Sequence, residues 1–166
     1  MTSAEIQRLR AEVKSDRTAF DLRLDELEAL VLVGATAPVL AQVAVALHHG
    51  YGAVEAALAR VAQLLEGSVP QGADWHQQLL HTMTLEIPSV RPAILERETA
   101  DFLRKLLAFR HFFRHAYAVG WDAEQLASVK LAALAARAPL ARDLDALDKF
   151  GSPRRNAGAL TSPPHV

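Results

Sequence analysis

One segment decides the fold that the sequence predicts: RETADFLRKLLAFRHFFRHAY, residues 97–117. Its apolar residues recur at steps of three, four or seven, which is the spacing of one face of an α-helix. They are Phe102, Leu103, Leu106, Leu107, Phe109, Phe113 and Tyr117. We expect a helix that begins between Pro92 and Glu98 and ends near Gly120, with Phe109 and Phe113 in the core.

The two segments at the start of the chain also have helical spacing. Thr2 and Glu5 have the spacing of a capping box, so we expect a first long helix that continues through Val31 and ends at Gly34. A second helix is expected to open near Pro38 and to stop at Gly67, because proline suits the first turn and glycine the end of a helix.

Two further helices flank the deciding segment. Asp74 is predicted to cap a short helix, and Asp122 an Ala- and Leu-rich one that Pro139 kinks or divides. No segment has the alternating pattern of a strand. The sequence therefore predicts an all-α antiparallel bundle of four to five main helices, formed by a single domain over residues 1–150. Residues 151–166 have the composition of a disordered tail.

The composition excludes several classes of protein. The chain is 51% hydrophobic and 22% charged, which is typical of a globular protein, and its net charge of −1 predicts no polyanion partner by itself. The absence of cysteine excludes disulfides and fits a reducing compartment, so a cytoplasmic location is expected. No signal peptide, membrane span, glycine-rich nucleotide loop or other cofactor pattern is present, and no cofactor is expected.

A local basic patch stands out, because residues 102–121 contain no acidic residue. Its cations alternate with aromatic residues, a mixture typical of grooves that bind single-stranded nucleic acid, although cations on a helix are more often simply solvent-facing. The basic residues are Arg104, Lys105, Arg110, His111, Arg114 and His115. Among these, we predict Lys105, His111 and Arg114 as RNA- or phosphate-binding residues.

The end of this segment, Arg110-His-Phe-Phe-Arg-His115-Ala-Tyr117, has the form R-x4-H-x-Y. It resembles the signature of HepT-type toxins of the HEPN superfamily, as do the flanks Tyr51-Gly-Ala-Val-Glu55 and Asp74-Trp75-His76. The resemblance implies a HEPN-like fold and a homodimeric, metal-independent endoribonuclease toxin whose partner is a minimal nucleotidyltransferase antitoxin. It also implies that Arg110 and His115 are catalytic and that Tyr117 accepts AMP from the antitoxin.

These residue types suit RNA cleavage without a metal. A histidine exchanges protons near neutral pH and an arginine is a permanent phosphate donor, so His115 is the predicted acid or base and Arg110 the predicted electrostatic clamp. On an ideal helix Arg110 and His115 lie roughly 140° apart, so we expect either a distorted helix end or a dimer seam to bring them together. Tyr117 shares a face with Arg110, about 10 Å along the axis.

Two alternatives remain open at this point. His111 and His115 have the i, i+4 spacing of zinc ligands, but no third ligand is evident and the glutamate of a His-Glu-x-x-His site is missing, so no metal site is predicted. The histidines outside the motif, His76 among them, are more simply structural. The chain could also be a non-catalytic helical nucleotide-binding module, the substrate-presenting subunit of a nucleotidyltransferase.

Overall fold

The computed structural model describes residues 2–115 and 120–149. It contains five helices and a closing 3₁₀ turn, and its only β pairing is an isolated bridge between Ile87 and Arg91. The helices are α1 (Ser3–Ala29), α2 (Ala37–Leu65), α3 (Trp75–Thr82), α4 (Arg97–His115) and α5 (Ala123–Asp145), and the 3₁₀ turn covers Ala146–Lys149. The predicted all-α bundle is confirmed, while the predicted tail, residues 151–166, lies outside the described residues.

Side-chain caps fix several helix starts. Thr2 accepts a hydrogen bond from the Glu5 amide, and the Glu5 carboxylate accepts one from the Thr2 amide, which completes the predicted capping box. Asp122 accepts from the amides of Glu124 and Gln125 at the start of α5. Asp74 precedes α3 as expected, but its side chain makes no capping hydrogen bond.

The end of α1 differs from the prediction. The helix stops at Ala29, and Leu30 has an extended backbone. The carbonyl oxygen of Leu30 accepts a hydrogen bond of 2.6 Å from Nζ of Lys130 on α5, so a tertiary contact replaces the next helical turn. Gly34 lies further along the connection with a φ of 68°, a backbone conformation that glycine adopts without strain.

Ion pairs and hydrogen bonds show that α1 runs antiparallel to two neighbours. Arg60, late in α2, bonds to Asp16 in the middle of α1, whereas Gln42, early in α2, bonds to Glu26 near the end of α1. The pair of α1 with α5 is arranged in the same way. Arg17 bonds to Asp145, and Arg137 bonds to Asp25.

A buried carboxylate on α5 holds the start of α4. Asp143 accepts hydrogen bonds from the Glu96 amide at 3.0 Å and from the Thr99 hydroxyl at 2.5 Å. Because Asp143 and Thr99 are both buried, these bonds fix the first turn of α4 against α5. The α5 helix continues through Pro139, so of the two predicted outcomes, a kink or a division, the division does not occur.

The core lies between α2, α4 and α5 and is covered by α1. It includes the fully buried Phe20 and Leu24 of α1, Leu58 of α2, and Leu103 and Leu106 of α4. Within the described residues no helix is both long and apolar enough to cross a bilayer.

Candidate active site

The second half of α4 carries the predicted motif and has two different faces. Phe109 is buried in the core, as predicted, while Phe112 and Phe113 are half-buried and pack with Trp121. Arg110 follows Phe109 and extends between α2 and α3, where 16% of its side chain stays exposed. The arginine of the motif is therefore turned towards the interior of the bundle.

Arg110 forms an ion pair with a buried glutamate of α2. Its Nη2 lies 3.1 Å from Oε1 of Glu55, whose side chain is 8% exposed. The second carboxylate oxygen of Glu55 lies 2.5 Å from Nδ1 of His76, the second residue of α3. Nη1 of Arg110 lies 3.1 Å from Nε2 and 3.3 Å from Nδ1 of His76, over the face of the ring, and closes the triangle. We call Glu55, His76 and Arg110 the Arg110 cluster.

The surroundings of His76 favour its neutral form. Burial lowers its pKa, with a smaller lowering from Arg110 and His111, while Glu55 acts in the opposite direction. A carboxylate only accepts hydrogen bonds and a guanidinium only donates them. We therefore assign the single ring proton to Nδ1, which donates to Glu55, so that the face of an uncharged ring lies against the Arg110 guanidinium.

Two more side chains of α2 border this cluster. Tyr51 is buried, and burial, followed by the nearby charge of Glu55, raises the pKa of its hydroxyl. His48 stacks on Phe113 with ring centres 4.4 Å apart. Burial lowers the pKa of His48, and the positive charges of Arg110, His49 and Arg114 lower it further.

The other face of α4 forms a groove with α3. The groove has a volume of about 380 Å³, an apolar floor that includes Leu80 and Leu107, and a polar rim. Arg104, His81 and His111 belong to that rim. The volume falls in the range of about 300–1,000 Å³ that small-molecule sites occupy.

The structure separates the predicted site residues into three groups. Arg110 is held inside, whereas His111 lines the groove and meets the ring of His76 edge-on at 5.7 Å. Lys105 and Arg114 are exposed on α4. The side chain of His115 and the whole of Tyr117 lie outside the described residues.

Arg110 and the backbone of His115 lie in one regular helix. Since α4 is helical up to His115, the alternative of a helix that distorts before that residue is not seen. His115 follows His111 by four residues, so its position falls on the groove face, roughly 140° from Arg110. Arg110 and His115 thus belong to different faces of α4 within one chain.

Sequence reasoning missed the roles of Glu55 and His76. Both residues lie in the segments that resemble the toxin family, but spacing alone does not show that they meet, because they are 21 positions apart on different helices. A charged residue among the apolar positions Val54, Ala57 and Leu58 of α2 was the available signal. Among the described residues, no three acidic or histidine side chains converge as metal ligands do.

Comparison with known proteins gives one match. A family model described as HepT-like protein matches residues 42–150, a range that contains α3, α4, α5 and the Arg110 cluster and leaves α1 outside. Searches of curated proteins and of solved structures gave no significant match. Because the match spans well over half of the chain and agrees with its helical bundle, the protein belongs to the HepT-like family, which points to a HEPN-type toxin of a toxin–antitoxin system.

Proposed function

We propose that this protein is a metal-independent endoribonuclease toxin of the cytoplasm, in which Arg110 and His115 act on RNA. The observation that supports the proposal is that the motif arginine is held by a buried carboxylate and a neutral imidazole. An arginine fixed before its ligand arrives is suited to stabilising charge that develops on a phosphate during a reaction.

The proposed reaction uses the 2′-hydroxyl of RNA as its nucleophile. A base removes the hydroxyl proton, the O2′–P bond forms, the P–O5′ bond breaks, and an acid returns a proton to the 5′-oxygen. The products are a 2′,3′-cyclic phosphate and a 5′-hydroxyl. His115 supplies proton transfer and Arg110 stabilises the negative charge of the phosphorane.

A homodimer is part of the proposal. Arg110 is turned into the bundle and the position of His115 falls on the opposite side of α4, so a phosphate cannot meet both through one regular helix. Two copies related by a two-fold axis can place His115 of one chain near Arg110 of the other. Light scattering is expected to give about twice the chain mass of 18.1 kDa.

The direct test is an RNA cleavage assay in the presence of EDTA. We expect the wild type to cleave, and the Arg110→Ala and His115→Ala variants to lose about 100-fold or more of the rate while keeping their helical circular dichroism. Arg8→Ala, a change of an exposed arginine on α1, is the matched control and should cleave normally. Dependence on added Mg²⁺ or Zn²⁺ would contradict metal independence.

Control by a nucleotidyltransferase antitoxin completes the proposal, since the family is typically paired with one. AMP on the Tyr117 hydroxyl would add a negative phosphodiester close to the cations that must bind RNA. We expect intact-mass spectrometry with partner and ATP to show AMP additions on the wild type and none on Tyr117→Phe. Additions that persist in the variant would place the acceptor elsewhere.

Failure to cleave any RNA would favour the other class of function. A non-catalytic subunit would bind nucleotide through the same cations, and its binding would be weakened by Arg110→Ala without any RNA product. Equilibrium binding of a fluorescent nucleotide, measured on the same set of variants, distinguishes this module from the nuclease.

A further inference from the structure

We infer that Glu55 and His76 are positioning residues that orient Arg110 for the reaction on RNA; this inference rests on the proposed function. Neither residue belongs to the R-x4-H-x-Y motif. Each is more than nine-tenths buried, and they reach Arg110 from two different helices. Placing a carboxylate in the interior costs several kcal/mol unless it is paired and hydrogen-bonded, so such a group needs a specific arrangement.

The arrangement requires a carboxylate at position 55. One oxygen of Glu55 accepts from Arg110 and the other from Nδ1 of His76. A glutamine has one acceptor and one donor at these places. Whichever way the amide of a Glu55→Gln variant turns, its NH₂ group either faces Arg110 or faces Nδ1, so one of the two contacts of Glu55 is lost or its donor and acceptor are reversed.

The arrangement also requires a neutral imidazole at position 76. The charged or titratable groups that face His76 are Glu55 on α2 and Arg110 and His111 on α4; on its own helix Trp75 stacks beside it at 3.8 Å. A second proton on His76 would give the ring a positive charge directly against the guanidinium, whose Nη1 lies 3.1 Å from Nε2 and 3.3 Å from Nδ1. Glu55 and neutral His76 together therefore select one orientation of Arg110.

The two contacts leave part of the guanidinium unused. Arg110 has five N–H donors, and the contacts to Glu55 and His76 engage its two Nη groups. Each Nη group has a second N–H that these contacts do not use, and 16% of the side chain is exposed, whereas Nε, which has no partner among the described residues, is itself buried. The cluster thus fixes the direction of the guanidinium without consuming its capacity to bind a phosphate.

Because Glu55 and His76 orient the guanidinium while Arg110 carries the charge, we predict separate effects on kcat and KM. RNA affinity depends on the sum of cation–phosphate contacts, and Arg110 keeps its charge in a Glu55→Gln variant. Loss of orientation appears in the transition state, where a displacement of about 1 Å can reduce a rate about 100-fold. We expect Glu55→Gln to lower kcat by about 10- to 100-fold while KM stays within about twofold of the wild type.

Two histidine variants separate the two ring nitrogens. His76→Gln carries its planar amide as far as the Nε2 side of the ring, where it can still contact Nη1 of Arg110, whereas the shorter side chain of His76→Asn ends near Nδ1. We expect Gln to preserve more of kcat than Asn, which is a rescue that a purely structural role would not produce. Glu12→Gln removes an acid of α1 that pairs with Arg60 and whose side chain is 42% exposed, so it controls for the loss of an acid and should leave kcat unchanged.

The experiment is full-length steady-state cleavage kinetics together with ¹⁵N NMR of the side chains. In the wild type, the His76 ring is expected as the neutral Nδ1–H form at pH 7, and the Arg110 guanidinium protons should exchange slowly. Unchanged kcat in both Glu55→Gln and His76→Asn would overturn the inference, even if their melting temperatures fell. A wild type that cleaves no RNA would overturn the proposed function, and the NMR signals of Arg110 in Glu55→Gln would still decide whether Glu55 orients it.

Discussion

Two largely buried arginine–glutamate pairs in this protein, Arg91 with Glu66 and Arg110 with Glu55, differ in how many donors remain for a ligand. The Arg91 side chain is fully buried, and its Nε lies 2.7 Å from Oε1 of Glu66. Its other nitrogens donate to backbone carbonyls, which belong to Leu85, Pro92 and Thr82. Every nitrogen of Arg91 is therefore engaged in closing the loop between α3 and α4.

Arg110 uses the same kind of pair for a different purpose. It is partly exposed, each of its Nη groups has an N–H that the contacts to Glu55 and His76 do not use, and a titratable histidine shares its glutamate. The contrast indicates that a fully satisfied arginine holds the fold, whereas a partly satisfied one that is fixed in direction is available for chemistry. Each prediction below tests this distinction.

The largest effect on stability is expected from Arg91→Ala. It leaves Glu66 without its cation and the carbonyls of Leu85 and Pro92 without the donor that Arg91 supplies, while Thr82 keeps a hydrogen bond from the Leu85 amide, so we expect the free energy of unfolding to fall by about 3–5 kcal/mol. Urea denaturation followed by circular dichroism measures the change. A loss below about 1 kcal/mol would mean that water replaces these contacts and that Arg91 does not hold the fold.

Arg110→Ala should affect stability less than Arg91→Ala and activity far more. When Arg110 is removed, one cause of the lowered pKa of His76 disappears while Glu55 still raises it, so protonated His76 can neutralise the carboxylate. We expect about 1–2 kcal/mol of destabilisation by the same denaturation assay. Equal destabilisation by the two alanine variants would remove the distinction between the pairs.

Acid should weaken the fold through the Arg110 cluster. Burial lowers the pKa of both His76 and His48 below the ordinary value of 6.5, so between the folded and unfolded pKa values the unfolded chain binds more protons. Their contribution to stability is complete above pH 6.5 and is lost as the pH falls. We expect His76→Gln to flatten this dependence between pH 7 and pH 5, measured by urea denaturation; an unchanged slope would show that folding does not lower the pKa of His76.

The smallest effect is expected at a third, exposed arginine. Arg60 pairs with Asp16 at 2.9 Å and with Glu12 at 3.3 Å, but its side chain is 44% exposed. Such surface pairs contribute about 0–1 kcal/mol, and salt screens them. We expect Arg60→Ala to cost less than about 1 kcal/mol at low salt and nothing measurable at about 1 M NaCl, which sets the baseline for the two buried pairs.

Helix positions were predictable where the signal is local. The Thr2–Glu5 box and the Asp122 cap act within three residues, so the sequence alone locates the starts of α1 and α5. The end of α1 was not predictable, because it depends on Lys130, a hundred residues further along the chain.

The candidate site was predictable only in part, for the same reason. The sequence identified Arg110 by its motif, but the direction of its side chain depends on two partners on other helices. Glu55 and His76 become functional candidates only after folding brings them within 3.1 Å of the guanidinium. Periodicity assigned these helices to one bundle and could not give the pairing of their polar residues.

The position of α1 has a practical consequence for the choice of an expressed fragment. The family match begins at residue 42, inside α2, yet α1 contributes the fully buried Phe20, Leu24 and Leu27 to the core. A fragment cut at that boundary would lose the first turn of α2 and expose the apolar face that α1 covers, including Val43 and Leu47. Such a fragment is expected to aggregate. An activity assay on it would then fail even though the fragment still contains the Arg110 cluster.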